Sequence, residues 1–418
     1  MKKSFISLIS LALLSGYAFA GGISGPVSFP SAKVLPKGVR NMQYKGIYLN
    51  GNSKYDQMGN SQGLGASFNK VLTYQDLVNN EATVQDQLFA EAKVNNTPGI
   101  GLEDSMGETT GEVNLAVNVH TPVLAYGLTR AWTMAIVVPI VQSDLNVDVG
   151  SVSNESLQNA ANFFAAPGQG MQAKLEEVQR KFAAATQNKL RDNGYKPLTD
   201  EKKSALGDIR LISKYNMFHD KNKSFTFISE AVLPTGKRSD VNKLVDVGSG
   251  DEQLDLGVGM AADTNITGDF QISGSVNYLV QLADRKEMRI RENADSKITP
   301  DKDSNTRRDL GDIFQTAIAG SYRVFESLLF QTGYSYQRKG ADKYSGSKFA
   351  ASRYDLLSDE TDQEMHSFQA GLSFDTISMY RRKEFSVPMS IGLGYTKPLS
   401  GKNVIQDELT TLNMSIFF

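Results

Sequence analysis

The feature that most constrains this chain is an amphipathic strand that runs to its last residue. One parity carries Thr410, Leu412, Met414, Ile416 and Phe418, and the other carries Thr411, Asn413 and Ser415. Such a two-residue period is that of a β-strand with one apolar face. An aromatic residue at the end of an amphipathic strand is typical of outer-membrane barrels, in which rings lie at the lipid–water boundary. The pattern therefore predicts a membrane-facing strand.

The N-terminal residues resemble an export signal. Lys2 and Lys3 precede a short apolar stretch at residues 5–14, and Ala18-Phe19-Ala20 fits a cleavage site. This arrangement predicts a signal peptide over residues 1–20 and a mature chain over residues 21–418. A membrane anchor is less suitable, because a spanning helix needs about 20 apolar residues. Together with the strand pattern, the signal predicts the outer membrane of a Gram-negative bacterium.

Composition excludes several classes of protein. The chain has no cysteine, so disulfides, thiol catalysis and thiolate metal sites are excluded. A formal charge of -2 and a pI of about 6.0 give no basic footprint for nucleic acid. The mean hydropathy of -0.31 argues against a helical membrane protein. It is compatible with a barrel, because only half of each barrel strand is apolar.

Alternation along the chain predicts about twelve strands. They fall at residues 39–50, 112–125, 130–145, 206–218, 224–235, 253–265, 269–283, 311–322, 327–338, 364–376, 384–397 and 404–418. A soluble β-sandwich also alternates, but its outward face is rich in charge. Here the polar parity is mostly glycine, serine, asparagine and glutamine, which suits an enclosed interior. The predicted fold is an all-β, transmembrane, antiparallel up-and-down barrel.

The lengths of the connections support this topology. Short links are expected at residues 126–129, 219–223, 265–269, 323–327 and 376–383, and long ones at 51–111, 146–205, 236–252, 284–310 and 339–363. The last link, at 398–403, is short where a long one is expected. Short and long links alternate in barrels with periplasmic turns and extracellular loops. An even strand count then places both termini in the periplasm.

The two longest insertions, at residues 51–111 and 146–205, are expected to be extracellular and partly helical. Helical spacing occurs within 67–96 and 172–185, and a shorter helix is expected at 160–166 before Pro167-Gly168. Long loops that keep structure are often lids or binding elements. A cap that only packs on the rim explains the pattern equally well.

Short motifs resemble a known family of outer-membrane β-barrels. The motifs are Leu206-Gly207-Asp208, Leu233-Pro234-Thr235-Gly236, and Tyr126-Gly127-Leu128-Thr129 followed by Val138-Pro139. They resemble the phenol-degradation meta-pathway transporters, which are related in type to the long-chain fatty-acid channels. The likeness covers roughly residues 112–145 and 205–418, and Ala205 replaces a glycine of the family pattern. It implies a barrel that passes small hydrophobic or aromatic compounds.

A set of charged residues shares the inward parity and is predicted to line the lumen. Its members are Lys45, Asp208, Arg210, Lys214, Glu230 and Asp255. Both signs occur, so one interpretation is structural ion pairs that brace the wall. The other is a selectivity belt that filters solutes. Under the second interpretation, Arg210 and Lys214 line the conducting path.

Catalysis is not expected. The chain has only three histidines, and no nucleophile pattern adjoins them. His120 is predicted to face the lumen, His219 to lie in a periplasmic turn, and His366 to face outward near the rim. Because these positions are far apart, they predict no shared acid–base site.

The fourth long loop carries a partial calcium-binding pattern. Asp301, Asp303, Asn305, Asp309 and Asp312 fall at positions 1, 3, 5, 9 and 12 of an EF-hand register. Position 6 is Thr306 rather than the glycine that the turn requires. The alternative is a solvated loop in which Arg307 and Arg308 act as counterions, so no metal ligand is predicted.

The leading hypothesis is a channel for passive uptake of small hydrophobic or aromatic molecules, which needs no cofactor. Its expected partners are outer-membrane lipid and a small solute; the sequence leaves the oligomeric state open. A hydrophilic small-solute porin and a structural or adhesive barrel with a closed lumen remain alternatives. A continuous polar track would favour the porin. An apolar plug from residues 21–38 or 67–96 would favour hydrophobic solutes.

Overall fold

The computed structural model describes residues 29–79, 83–164, 170–294 and 298–418. The predicted signal peptide, residues 1–20, lies outside these ranges. The chain divides into two compact units. The barrel unit contains the described residues up to Gln62, with Asn114–Leu145 and Asp200–Phe418. The helical unit contains Gly63–Val113 and Asn146–Thr199.

Strands dominate the described residues. They are β1 Arg40–Gly51, β2 Ser53–Tyr55, β3 Ser61–Gly63, β4 Lys70–Thr73, β5 Ser105–Gly127, β6 Trp132–Val137, β7 Ile140–Ser151, β8 Glu201–Leu206, β9 Ile209–His219, β10 Lys223–Leu233, β11 Asp255–Asn265, β12 Phe270–Gln281, β13 Asp284–Arg289, β14 Lys302–Asp309, β15 Ile313–Phe325, β16 Leu328–Lys339, β17 Lys343–Ser345, β18 Gln363–Asp375, β19 Met389–Lys402 and β20 Leu409–Phe417.

Twelve of these strands form a closed antiparallel barrel. Their order is β1-β20-β19-β18-β16-β15-β12-β11-β10-β9-β6-β5, and β5 pairs back with β1. Every barrel strand therefore has two neighbours, and the barrel has no open edge. The predicted fold class, a twelve-stranded up-and-down barrel, is confirmed.

One predicted strand is interrupted near a proline. The third divides into β6 and β7 at Val138-Pro139. The fourth corresponds to β9, whereas β8 lies almost wholly in the link predicted at 146–205. Because proline has no N–H to donate, Pro139 at this break removes no ladder bond from a strand interior. Its carbonyl still accepts from the Gly207 N–H at 2.8 Å.

The last two strands begin later than predicted. β19 starts at Met389 and continues through Pro398 to Lys402, so the link predicted at 398–403 is wrong and the true link is residues 403–408. The β18–β19 register shifts between His366 and Ser367, beside Pro398. Such a bulge allows a proline inside a strand, which is why the proline did not mark the turn.

Side chains of the barrel strands alternate between two environments. In β11, Asp255, Gly257, Gly259, Ala261 and Asp263 are buried, whereas Leu256, Val258 and Met260 are exposed. The buried residues face inward and the apolar exposed residues face outward, as in a lipid-embedded barrel. The five short connections meet at one end of the barrel, here called the turn end, and the opposite end is the loop end.

The connection between β12 and β15 contains sheet rather than a metal-binding loop. β14 pairs with β13 and β17. At about 3.3 Å per residue, Asp301 and Asp309 lie roughly 26 Å apart along the chain, so the EF-hand positions do not converge. Asp303 accepts a hydrogen bond from the Tyr354 hydroxyl at 2.5 Å. Arg308, predicted as a counterion within this loop, pairs with Asp284 of β13 at 2.8 Å.

The predicted helical content is present. The helical unit contains a 3-10 helix at Leu64–Phe68 and α-helices at Tyr74–Asn79, Val84–Asn95, Glu155–Phe164 and Met171–Asp192; the barrel unit contains Ala351–Asp355 and Ile377–Arg381. The core of the helical unit includes Tyr74, Val94, Met106 and Ala160. The helix predicted at 172–185 is longer at both ends. Pro167-Gly168 lies outside the described residues. Among the described helices, none combines the length and apolarity needed to cross a membrane.

Candidate functional site

One side of the barrel interior is apolar. Its inward side chains are Ile47 and Leu49 of β1, Leu115, Val117, Val119, Val123 and Ala125 of β5, and Ala135 and Val137 of β6, all buried. The inward direction follows from the register, because Lys45 pairs with Thr121 and both are buried. This set is called the apolar wall below.

The apolar wall corrects the predicted orientation of His120. This residue pairs with Gly46 and faces outward, where the Tyr44 hydroxyl lies 2.6 Å from its Nδ1 atom. The prediction that it faces the lumen is wrong. Both parities of this part of β5 carry apolar residues, since Leu124 and Tyr126 are exposed on the outer face. The run of valines therefore did not mark the lipid face.

Another part of the interior is mostly polar. Its buried inward side chains include Ser273, Ser275, Asn277, Ser321, Gln331, Gln369, Thr411, Asn413 and Ser415. They lie on β12, β15, β16, β18 and β20 and are called the polar wall. The Gln331 amide donates to the Ser321 hydroxyl at 2.8 Å, and the Gln43 amide of β1 to Asn413 at 2.5 Å. Hydrogen bonds between neighbouring strands thus satisfy part of this buried polar surface.

Four of the six predicted lumen residues meet near β9 and β10. Arg210 and Glu230 form a buried ion pair. Lys45 and Asp255, both buried, interact electrostatically with Arg210. This geometry agrees with paired charges that brace the wall. A role in selecting solutes stays a prediction.

Lys214 lies apart from this group and binds the N-terminal part of the chain. Its ammonium group donates to the Ser31 carbonyl at 2.7 Å. The Thr226 hydroxyl donates to the Ala32 carbonyl, and the Leu35 N–H donates to the Thr133 hydroxyl at 2.8 Å. Inward side chains of β6, β9 and β10 therefore hold residues 29–38, here called the inner segment.

The inner segment crosses the interior near the turn end. Phe29 lies against Gly371 of β18, where a Cβ atom would come within 2.9 Å of the ring. Leu35 packs with Val123 and Val137 of the apolar wall. Phe29, Ala32 and Leu35 are buried. Part of the plug considered for residues 21–38 is therefore in place and is apolar; residues 21–28 lie outside the described ranges.

The sixth predicted residue, Asp208, belongs to a junction at the loop end. Its carboxylate accepts the Gly236 N–H at 2.8 Å and the Asp251 N–H at 3.2 Å. The Thr235 hydroxyl donates to the Gly207 carbonyl at 2.8 Å. The two motifs that carry the family resemblance are thus bonded to each other. Gly250 is required here, because a Cβ atom would lie 2.2 Å from the Asp208 carboxylate.

The junction concentrates negative charge outside the barrel strands. Burial raises the pKa of Asp208 above its usual range. Burial also raises the pKa of Asp251 to about 6, and the neighbouring charge of Asp208 adds to this effect. Arg308 donates to the Asp251 carbonyl at 2.7 Å. The junction is therefore sensitive to mildly acidic pH.

The histidines are distributed over separate outer positions. His219 ends β9 at the turn end, and His366 faces outward between Tyr334, at 2.5 Å, and Glu364, at 3.0 Å. Both predicted locations agree with the structure. Within the described ranges, no three histidine or acidic side chains are arranged to hold a metal ion.

The closed barrel, with an apolar outer surface and an enclosed interior, defines the class of outer-membrane β-barrels. The family model described as "Putative MetA-pathway of phenol degradation" matches residues 93–376, and the chain belongs to this family. Both the expected resemblance and the expected barrel are thereby confirmed.

Of three similar solved structures, the first shows the same fold at low identity. An outer membrane channel from Pseudomonas putida F1 is 10% identical with a TM-score of 0.52, covering 93% of this chain and 98% of that chain. The toluene transporter TbuX of Ralstonia pickettii is 11% identical with a TM-score of 0.34, covering 92% and 90%. A FadL homologue from Pseudomonas aeruginosa is 10% identical with a TM-score of 0.32, covering 96% and 95%. No curated protein matches significantly.

Proposed function

We propose that the protein is an outer-membrane channel for passive uptake of small hydrophobic or aromatic molecules. The observation that carries this proposal is the apolar wall. Leu115, Val117 and Val119 lie in line on β5, and their buried inward side chains make this part of the interior apolar. An apolar solute gains free energy from contact with such a surface instead of water. Family membership and the barrel fold support the same conclusion.

Passage would be driven only by the concentration gradient. The inner segment narrows the interior at the turn end, and its apolar side chains continue the apolar wall through Leu35. A solute therefore leaves by displacing or passing this segment. The hydrogen bonds that hold it include those from Lys214, Thr226 and Leu35 and one from the Gly38 N–H to the Gly127 carbonyl at 2.8 Å, and a neutral bond contributes only about 1 kcal/mol net. Local opening is thus compatible with an otherwise rigid barrel.

We also propose that the protein is not an enzyme and uses no cofactor. His120 and His366 face outward, and His219 lies at the turn end. A solute inside the barrel would meet no imidazole for acid–base chemistry. Outer-membrane lipid and a small solute are the proposed partners.

Liposome swelling tests the proposal. Purified full-length protein is inserted into vesicles, and influx of benzyl alcohol is compared with influx of a sugar of similar size. Faster entry of the aromatic solute is expected. Replacing Val117 and Val119 by threonine should slow aromatic entry several-fold, because it adds hydroxyls to the apolar wall at nearly constant volume. Equal rates for both solutes, or no effect of the substitutions, would contradict the proposal.

The polar wall favours one second candidate, a hydrophilic small-solute porin. Its side chains could exchange hydrogen bonds with a sugar, as those of a water-filled lumen do. In the same vesicles, the porin predicts that sugar entry equals or exceeds aromatic entry. Absence of both fluxes would instead support a sealed structural or adhesive barrel.

The predicted role of Arg210 and Lys214 in conduction has its own test. Planar-bilayer recordings would compare the wild type with Arg210→Met and Lys214→Met. If Lys214 mainly holds the inner segment, its replacement should raise the open probability without changing ion preference. A changed ion preference in either variant would support the charge-selective role.

A further inference from the structure

A groove of about 690 Å³ lies on the outer surface of the barrel at the loop end. Its lining includes Tyr48, Asn50, Tyr395, Lys397, Gln406 and Thr410. Tyr48 pairs with Thr410, which pairs with Tyr395, so these three side chains share the outward face of β1, β20 and β19. The groove is thus separate from the interior path.

The groove lies at the height of the outer membrane surface. Arg40 and Phe418 are hydrogen-bonded at the turn end, at 2.7 Å. Tyr48 is eight residues further along β1, which is about 26 Å of strand at 3.3 Å per residue and about 20 Å of height at a strand tilt of 35–45°. The apolar band of such barrels is about 25 Å tall and is bounded by aromatic residues. The next outward residues, Asn50 on β1 and Lys397 on β19, are polar and exposed, so Tyr48 and Tyr395 mark the far boundary, where lipid headgroups begin.

One wall of the groove is held in place by the chain itself. The Asp407 carboxylate accepts the N–H groups of Asn52 and Ser53, each at 3.1 Å. The Gln406 N–H donates to the Ser53 carbonyl at 3.2 Å. Gly51 permits this contact, because a Cβ atom there would lie 2.6 Å from Asp407. A wall that is already ordered costs a ligand little conformational entropy.

The lining chemistry fits a sugar better than a phosphate. Lys397 lies 3.6 Å from Glu408, and Tyr395 also hydrogen-bonds Glu408, so the cation is already balanced. Tyrosine rings offer flat apolar faces with polar edges. In the described part of the chain, the Gln406 side-chain oxygen is buried and has no hydrogen-bond partner. A hydroxyl of a bound molecule would satisfy it.

We propose that this groove binds the sugar headgroup of a glycolipid in the outer leaflet. The inference requires the outer-membrane location but not solute passage. The sugar places its ring against Tyr48 and Tyr395 and donates a hydroxyl to Gln406. The acyl chains extend along the apolar outer face below Thr410, where Leu412, Met414 and Ile416 follow on β20.

Retention of lipopolysaccharide by the full-length protein tests the proposal. Detergent-solubilised protein is incubated with lipopolysaccharide, and the retained amount is measured by native mass spectrometry. The test variant is Tyr395→Leu with Gln406→Leu. The single variant Gln406→Leu is tested as well, in case the double variant does not fold. The control is Tyr278→Leu, since Tyr278 is also outward at the loop end and hydrogen-bonds a carboxylate, Asp312, at 2.7 Å.

The groove variants should retain at least fivefold less lipopolysaccharide than the wild type, and Tyr278→Leu should retain the same amount. Equal retention in all variants would overturn the proposal. Two further probes identify the source of the sugar. Phosphatidylglycerol should be retained equally by all variants, and the delipidated oligosaccharide should bind at least tenfold more weakly than lipopolysaccharide. Equal affinity for the free oligosaccharide would reject the lipid assignment.

Discussion

The apolar wall and the polar wall belong to one barrel and follow the same alternation. On β5 the inward parity carries Leu115, Val117 and Val119, whereas on β20 it carries Thr411, Asn413 and Ser415. Alternation thus decides which residues face inward, but it does not decide their chemistry. One interior can therefore contain both an apolar and a polar surface.

The two walls are also stabilised differently. The apolar wall buries side chains against the inner segment, where Leu35 packs with Val123 and Val137. The polar wall uses side-chain hydrogen bonds between strands, as between Gln331 and Ser321. Apolar burial tolerates no unpaired polar group, whereas a hydrogen-bonded wall tolerates small polar exchanges. The following predictions test this difference.

The largest effect is expected at the boundary between the walls, at the Arg210–Glu230 pair. Glu230→Ala should lower the free energy of unfolding by about 3–5 kcal/mol, because it removes the ion-pair partner of a buried guanidinium. The double replacement Arg210→Met with Glu230→Leu should recover most of this loss. Urea unfolding in phospholipid vesicles measures both. Glu326→Ala, in the exposed pair with Arg382, is the control and should leave stability unchanged.

A reciprocal exchange compares the walls directly. Val123→Thr buries a hydroxyl among apolar side chains and should cost about 1–3 kcal/mol of unfolding free energy. Thr411→Val is the reverse change on the polar wall. In the described residues, the Thr411 hydroxyl has no hydrogen-bond partner, so its removal should be neutral or stabilising. Equal losses in the two variants would show that the walls do not differ as described.

The smallest effect is expected at the junction, where charge rather than polarity is concentrated. Asp251 has a pKa of about 6 in the folded protein, above the value of about 3.9 for an unfolded chain. The fold therefore binds the proton more tightly, and this group's contribution to stability is complete below pH 4 and is lost as the pH rises to 6. Asp251→Asn should remove that loss.

At pH 7 the free energy of unfolding of this variant should exceed that of the wild type by on the order of 1 kcal/mol. A shift of one pKa unit corresponds to about 1.4 kcal/mol, and the loss of one acceptor oxygen reduces the gain. At pH 4 this gain should be absent. Thermal unfolding at pH 4, 5 and 7 measures the difference. A gain that persists at pH 4 would mean that the stabilisation does not come from the carboxylate's charge.

The sequence predicts the barrel because lipid imposes a strict rule on one face of every strand. β11 and β20 follow that rule with few exceptions, and their orientation is predicted correctly. The orientation of β5 is predicted wrongly, because both of its faces are apolar: Leu124 and Tyr126 lie on one face and the valines on the other. The inner segment was predictable only as an apolar plug, since its partners Lys214 and Thr133 lie about 100 or more residues away.

Asp208 illustrates a further limit of prediction from the sequence. Its parity predicts an inward side chain, but its partners are backbone N–H groups of two loops. Backbone partners leave no pattern in side-chain sequence. The signal that was available is the pair of glycines, Gly236 and Gly250, which allow the close approach.

The pairing of β1 with β20 has a consequence for how the protein is made. The first barrel strand receives this neighbour only when the final residues have been synthesised, and Arg40 then bonds to Phe418. Any chain that stops before residue 409 lacks β20 and leaves one side of β1 without a partner. An unpaired strand edge is prone to association and degradation. The barrel therefore closes only when the chain extends through β20.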